Sequence, residues 1–313
     1  MLLSIVFSFR NEQEVIPELI NRLRNTLDGL DIDYELLFVN DASTDGSLEL
    51  LLNYHDKDPR VKIINMSRRF GVTPCVMAGF RQARGDAVVY MDADLQDPPE
   101  LIPEMLEARR QGADVVNTIR TKRKGENPLK MWLTKRAYGI INRVADIDIP
   151  PNSGDFKLLS RRALDQVLRL NEYDPYMRGL VRWVGFKQVD IPYERDARHA
   201  GKPKFSLLNS LNPMKEFVRG LISFSELPLY FALVVGFLVS VGAFGYLLYI
   251  VITRVFLDMH RPGWPAIMVT MLFLGGTTLF TIGILGLYIG KIHHQTKGRP
   301  PYIIESTIGL DND

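Results

Sequence analysis

Two long stretches of this chain carry no charged side chain, Leu227 to Thr253 and Pro262 to Gly290. Each exceeds the roughly 20 residues a helix needs to cross the hydrocarbon core of a bilayer. A buried helix in a globular domain can also be free of charge. Two such runs in succession, joined only by the short polar segment Arg254 to Arg261, point instead to a transmembrane hairpin. Before about Glu226 charged and apolar residues alternate as they do in a soluble domain. The run Met1 to Phe7 is too short for a signal peptide and lacks a basic lead-in, so the N-terminal region is expected to be cytosolic. Two spans then return the C-terminus to the same side. The basic residues agree modestly: Lys202, Lys204, Lys215 and Arg219 precede the first run and Lys291, Lys297 and Arg299 follow the second, against Arg254 and Arg261 between them.

The 313 residues hold 38 Lys and Arg against 36 Asp and Glu, a formal charge of +2. That balance argues against a nucleic-acid binder driven by bulk electrostatics. One cysteine, Cys75, excludes an intrachain disulfide framework and a multi-cysteine zinc site. The five histidines lack metal-ligand spacing, and His293-His294 reads as an interfacial pair.

Short apolar runs alternate with helical patterns through the N-terminal half. Leu3–Phe9, Tyr34–Val39, Val61–Asn65, Ala87–Met91 and Ala113–Thr118 read as strands. Between them Glu14–Leu27, Ser47–Tyr54, Thr73–Ala83 and Glu100–Arg110 read as helices. This alternation predicts an α/β domain with a mostly parallel sheet covered by helices. Ligands of such sheets bind outside the carboxyl ends of the strands. Polar clusters fall at those ends: Arg10-Asn11-Glu12, Asn40 to Gly46, and Asp92 to Asp97. No G-x-G-x-x-G or Walker-type motif is present, so a dinucleotide or P-loop site has no support. From Ser206 to Phe224, Leu207, Leu211, Met214, Val218 and Leu221 recur at helical spacing. Their place before the first apolar run favours an amphipathic helix at a membrane surface over one packed on the soluble domain. The expected domains are 1–205, the amphipathic segment 206–226, the hairpin 227–290 and a tail 291–313.

The segment Met91 to Glu100, MDADLQDPPE, sets four carboxylates and a glutamine at the end of a strand. Alternate residues of an extended chain project to one side, so Asp92, Asp94 and Gln96 can present three oxygens together. Hard oxygen ligands suit Mg2+ or Mn2+, with positions left for water and phosphate oxygens. A metal held there neutralises a diphosphate, the leaving group of a nucleotide-activated substrate.

These motifs resemble those of family 2 inverting glycosyltransferases of the A-type fold, and closely those of the polyprenyl-phosphate glycosyltransferases. The resemblance runs from Ser4 to about Ile304. It includes Asn11-Glu12, Val39 to Gly46, Asp92-Ala93-Asp94-Leu95-Gln96-Asp97-Pro98-Pro99 and Gly154-Asp155-Phe156-Lys157-Leu158. It continues through Arg178-Gly179-Leu180, Trp183-Val184-Gly185-Phe186, and the run from Arg195 and Arg198 to Lys204-Phe205. The second apolar run and Arg299-Pro300-Pro301-Tyr302 are similar to those of bactoprenol glucosyltransferases. The resemblance implies that Glu12 and Asp41 bind the nucleotide, and that Asp92, Asp94 and Gln96 hold Mg2+ or Mn2+ on the diphosphate. It implies that Asp155 faces sugar and acceptor, with Asp94 and Asp155 catalytic. Arg120, Arg123, Arg195, Arg198 and Lys204 are candidates for the diphosphate or the lipid phosphate, because guanidinium forks match phosphate oxygens. Ser8, Ala42, Arg69-Phe70-Gly71-Val72 and Pro203 depart from the usual family pattern, and none of them removes an expected metal ligand.

The implied reaction is single-displacement transfer of a hexose from a nucleotide-sugar to a polyprenyl phosphate such as undecaprenyl phosphate, at the cytoplasmic membrane. UDP-glucose is favoured only through the likeness of the second run and tail, since no residue separates glucose from mannose or UDP from GDP. A processive polysaccharide synthase would carry Q-x-x-R-W, but position 179 before Arg182-Trp183 is glycine. A non-catalytic nucleotide-sugar-binding membrane protein would not need Asp155 and the basic cluster beside an intact metal set. Gly286 and Gly290 have the small-xxx-small spacing that packs helices, either between subunits of a homo-oligomer or within the hairpin.

Overall fold

The computed structural model of the protein describes residues 1–121, 139, 150, 153–170, 172–194, 220, 222–257 and 263–310. The chain forms two compact units, Met1–Gly220 with Pro300–Asp313, and Leu221–Arg299. In the first unit the described strands are β1 Leu2–Phe9, β2 Asp33–Asn40, β3 Val61–Met66, β4 Ala87–Asp92, β5 Val115–Arg120, β6 Ser153–Ser160, β7 Gln188–Tyr193 and β8 Ile304–Ile308. They form one sheet in the order β7-β5-β6-β4-β1-β2-β3-β8. Pairing is parallel through β4-β1-β2-β3 and between β5 and β7. It is antiparallel where β6 lies between β4 and β5 and where β8 covers β3. The expected mostly parallel α/β sheet is therefore present, and the segment after the second apolar run supplies one of its edge strands.

The alternation of β1 divides the core between two faces. Leu3, Ile5, Phe7 and Phe9 join the cluster under α1 (Ile16–Leu27), α2 (Ser47–Lys57) and α4 (Ile102–Arg110). Val6 joins the cluster under α3 (Val72–Gln82), α5 (Arg161–Arg169) and α6 (Met177–Trp183). A side chain at Gly79 would begin 2.3 Å from Val6 Cγ1, so α3 approaches the sheet only because that residue is glycine. Helix α1 begins at Ile16 rather than Glu14, with Pro17 in the first turn, where a missing N–H costs nothing. A 3-10 turn, Pro99–Leu101, precedes α4 for a similar reason, with Pro103 opening the helix proper.

The second unit contains α7 (Leu227–Leu257) and α8 (Trp264–Thr296). Their segments Leu227–Ile250 and Ile267–Thr296, of 24 and 30 residues, are long and apolar enough to cross a membrane. Phe237, Leu238, Leu272 and Leu279 are exposed, as lipid-facing side chains are. The hydroxyls of Thr277 and Thr278 donate back to the carbonyls of Phe273 and Leu274, which satisfies them within their own helix. Lys291 Nζ donates to Ser223 Oγ and the Tyr288 hydroxyl to the Ser225 carbonyl, tying the two ends of the unit together.

At the amino ends of the parallel strands, Glu35 is 3 % exposed and fully engaged. Its carboxylate accepts from Ser4 Oγ (2.5 Å), the Arg84 N–H (2.9 Å) and Lys62 Nζ (2.7 Å). Burial would raise its pKa, but these donors hold it below the usual carboxylate value. Glu35→Ala takes a carboxylate partner from the half-buried Lys62 ammonium and from the buried Ser4 hydroxyl, and is expected to cost about 2 kcal/mol. Thermal unfolding of the full-length protein checks this, with Glu35→Gln recovering only part of the loss.

Candidate active site

Three loops leave the carboxyl ends of β1, β2 and β4 beside one another. In the first, Asn11 (φ +56°) clamps the second: its N–H donates to Ser43 Oγ, and its side-chain oxygen accepts from the Thr44 N–H at 2.8 Å. Glu12 is 5 % exposed, and its N–H donates to Ser47 Oγ. In the second loop, Asp41 accepts the backbone N–H groups of Phe70 (2.6 Å) and Gly71 (3.1 Å). Its carboxylate thus fixes the loop ahead of α3, where Gly71 takes φ +96°, a conformation glycine adopts without strain. Ala42 stands at φ +51°, which explains why glycine suits the position after this aspartate.

The third loop alternates as its sequence predicts. Asp92, Asp94 and Gln96 are partly exposed, while Ala93, Leu95 and Asp97 are buried. Leu95 reaches this arrangement at φ +58°, a costly value for a bulky side chain. Among the described residues, four non-glycine residues have positive φ, and three of them, Asn11, Ala42 and Leu95, lie in these loops. Backbone strain is concentrated where the three polar clusters meet. Asp92 accepts from the Tyr90 hydroxyl at 3.0 Å, and Asp94 from the Gln96 N–H at 3.2 Å. No group of three or more His, Cys, Asp or Glu able to hold a metal occurs among the described residues. The expected donors, two carboxylates and an amide oxygen, are of the hard kind that suits Mg2+ or Mn2+.

Beside this loop, β5, β6 and β7 bring a second group together. Asp155, near the start of β6, is held by both arms of one guanidinium: Arg178 Nε donates to Oδ1 at 2.7 Å and Nη2 to Oδ2 at 2.5 Å. Burial would raise the Asp155 pKa, but Arg178, with Lys157 and Arg120, pulls it far below the usual carboxylate value. Arg120 Nε donates to the Tyr193 hydroxyl, which in turn donates to Asp97. That relay ties β5 and β7 to the loop that follows β4. The Tyr90 hydroxyl is pushed well above its usual pKa by burial and by Asp92, Asp155 and Asp97, so it remains a donor. Glu12, Asp41, Asp92, Asp94, Gln96, Arg120 and Asp155 all lie at this end of the sheet. Arg123, Arg195, Arg198, Lys204 and the amphipathic segment up to residue 219 lie outside the described residues.

Comparison with known proteins gives the family. Residues 4–168 match the model of the family described as Glycosyl transferase family 2. The chain belongs to that family. It is 43 % identical to the uncharacterized glycosyltransferase YkcC of Bacillus subtilis (strain 168) over 309 residues, covering 99 % of this chain and 95 % of that one. It is 35 % identical over 306 residues to the bactoprenol glucosyl transferase of Shigella phage SfX, covering 98 % and 99 %. A prophage bactoprenol glucosyl transferase homolog of Escherichia coli (strain K12) is 34 % identical over 305 residues, covering 97 % and 99 %. Glycosyltransferase activity follows from this membership.

Sequence reasoning assigned no role to Arg178, Lys157, Asp97 or Tyr193. Arg178 stands in a quoted motif, but its partner is 23 positions away and is fixed only by packing. Lys157 is 3 % exposed, and its Nζ has no hydrogen-bond partner among the described residues. Burial, opposed by Asp155 and aided by Arg178 and Arg182, lowers its pKa to about 8. An unfolded lysine titrates near 10.4. Below pH 8 the fold must therefore keep a buried ammonium, and that penalty is relieved as pH rises from about 8 towards 10.4. Lys157→Met should stabilise the protein at pH 7 by on the order of 3 kcal/mol. The advantage should shrink steadily above pH 8, as melting temperatures taken across pH 6 to 10 will show.

Proposed function

We propose that this protein transfers a hexose, with inversion, from a nucleotide-sugar to the phosphate of a polyprenyl phosphate such as undecaprenyl phosphate, yielding a lipid-linked monosaccharide. Glucose from UDP-glucose is the preferred donor in this reading, supported by near-full-length likeness to bactoprenol glucosyl transferases. The observation that carries the proposal is the meeting of the Asp92-Asp94-Gln96 oxygens with the Asp155–Arg178 pair, in a unit whose chain continues into two apolar helices and then returns to complete the same sheet.

Glu12 and the loop 40–46 hold the nucleotide side of the donor, with Asp41 fixing the neighbouring loop. Asp92, Asp94 and Gln96 hold Mg2+ or Mn2+, which when bound supplies positive charge to the diphosphate. Arg120, steadied by Tyr193, adds a fixed cation on the same side. The acceptor phosphate is already anionic near neutral pH, so it attacks the anomeric carbon with little need of a base. Asp155 orients the acceptor, and its low pKa keeps it ionised and a poor proton carrier. Catalysis then rests on in-line positioning and on stabilising the departing diphosphate. Arg123, Arg195, Arg198 and Lys204 are assigned to the phosphates. The return of the chain to β8 supports a topology with the catalytic unit and both termini on the cytosolic face of the cytoplasmic membrane.

Incubation of the protein with a panel of labelled nucleotide-sugars and undecaprenyl phosphate tests the reaction. Lipid-linked glucose is expected; a polymer or no lipid product overturns the proposal, and efficient transfer of another sugar overturns the donor. EDTA should abolish turnover, and Mg2+ or Mn2+ should restore it. Asp94→Asn should lower kcat by orders of magnitude with an unchanged melting profile. Lys204→Ala should raise the apparent KM for a short polyprenyl phosphate in neutral detergent, by about tenfold or more, with donor KM unmoved.

A further inference from the structure

The strand that follows the apolar helices reaches the nucleotide side of the site through a row of three side chains. Asn40 on β2 lies directly opposite Asn65 on β3, and Asn65 lies directly opposite Ser306 on β8. Asn40 Nδ2 donates to Asn65 Oδ1 at 3.1 Å, and Asn65 Nδ2 donates to Ser306 Oγ at 3.0 Å. At the other end, Asn40 Oδ1 accepts the Ser43 N–H at 2.9 Å. Asn40 and Asn65 are 4 % and 7 % exposed, so neither amide has bulk water as an easy substitute partner.

The direction of this row is forced. A backbone N–H can only donate, so Asn40 must turn its oxygen to Ser43 and its NH2 to Asn65. Asn65 must then show its oxygen to Asn40, which leaves its own NH2 facing β8. The third member has to be an acceptor, and the Ser306 hydroxyl is one. Ser43 and Thr44 are the residues that Asn11 clamps from the β1 loop. A register shift in the β3–β8 pairing falls immediately after Asn65, so β8 aligns with β3 only as far as this row before it deviates.

We propose that Ser306 is a positioning residue for nucleotide binding: through Asn65 and Asn40 it holds the loop 40–46 in its binding shape. The segment after the membrane-type helices is thereby part of the donor site rather than a trailing tail. This rests on the reading of that loop as the nucleotide side of the site. Ser306 is exposed at the sheet edge, so removing its hydroxyl takes from Asn65 its protein acceptor on β8 and loosens the outer end of the row, while the Ser43 N–H still fixes the orientation of Asn40.

The test uses the full-length protein in detergent, with Ser306→Ala and the conservative Ser306→Thr. UDP and GDP serve as the binding probes, and hydrogen–deuterium exchange is read on peptides covering 40–46. Ser306→Ala should weaken binding of the nucleotide that the wild type prefers by about three- to tenfold, the value of one hydrogen bond. Donor KM should rise by the same factor while kcat holds, exchange at 40–46 should quicken, and Ser306→Thr should restore all three. Unchanged exchange at 40–46 in Ser306→Ala overturns the positioning role whatever the nucleotide result. Faster exchange with unaltered affinity shows the row to be structural only and also overturns it. Should the wild type bind neither nucleotide, the transferase reading of the loop fails and the proposal falls with it, an outcome separated from the others by the wild-type measurement alone.

Discussion

Parallel pairing of β1 with β2 and β4 is the constraint from which the site follows. The register sets Phe9 against Asn40 and Ser8 against Asp92, so three chains reach the end of the sheet at one level. Parallel neighbours cannot be joined by tight turns, and each must leave the sheet through a loop at the same edge. The Asp41 N–H donates to the Phe9 carbonyl, extending the ladder by one step before the chains part. Beyond that point the sheet no longer satisfies the backbone, and side chains take over: Asn11 and Asp41 receive backbone N–H groups from neighbouring loops, and Asn40 receives one from its own. Positive φ at Asn11, Ala42 and Leu95 accompanies this crowding. The core beneath, with Phe7 stacked on Phe38 at 4.7 Å between ring centroids, resists relaxation of that strain.

The antiparallel insertion of β6 gives the other half of the site a different character. Reversing one strand between β4 and β5 brings its amino end, with Asp155, to the edge where its neighbours end. Asp155 there faces Arg178, Lys157 and Arg120, and Asp97 acts on Arg120 from the other side. Holding an ammonium in so poorly solvated a place is costly, as the depressed Lys157 shows. Under the proposed reaction these fixed cations favour the acceptor and the departing diphosphate, and need no reorganisation at the moment of transfer.

Much of this was legible in the sequence because the signals are local. Five strands and four helices follow from apolar period and length, and the alternating exposure of Asp92, Asp94 and Gln96 follows from the strand period. The residues that escaped notice owe their roles to distant partners. Lysine in a strand ordinarily reads as a solvent-facing residue, and only the covering of β6 on both sides buries Lys157. Tyr193 meets Asp97 across 96 positions. Asp41 was read for its position at a strand end, but its hydrogen bonds to Phe70 and Gly71 depend on where the β3–α3 loop folds back. The helix starts at Ile16 and Ile102 shifted because proline sets the first turn, a local cue that periodicity alone overlooks.

The late strand β8 bears on how the unit is completed. It reads as five unremarkable residues, Ile304–Ile308, and nothing local marks it as a strand. Its partner lies 241 positions earlier at Asn65. Without β8, the edge of β3 would present unpaired backbone groups, the kind of edge that recruits foreign strands. The opposite edge is blunted differently, since Pro192 in β7 lacks the N–H that a further strand would need. One edge is thus closed by composition and the other by a segment separated from it by two long apolar helices. Pairing so distant in sequence forms late, because loop-closure entropy must be overcome before any hydrogen bond is gained. The sheet, and with it the Asn40–Asn65–Ser306 row behind the nucleotide loop, is complete only after both apolar helices have been made. A chain interrupted within them would carry every expected metal ligand and Asp155, yet would lack the edge strand and the acceptor at the end of that row.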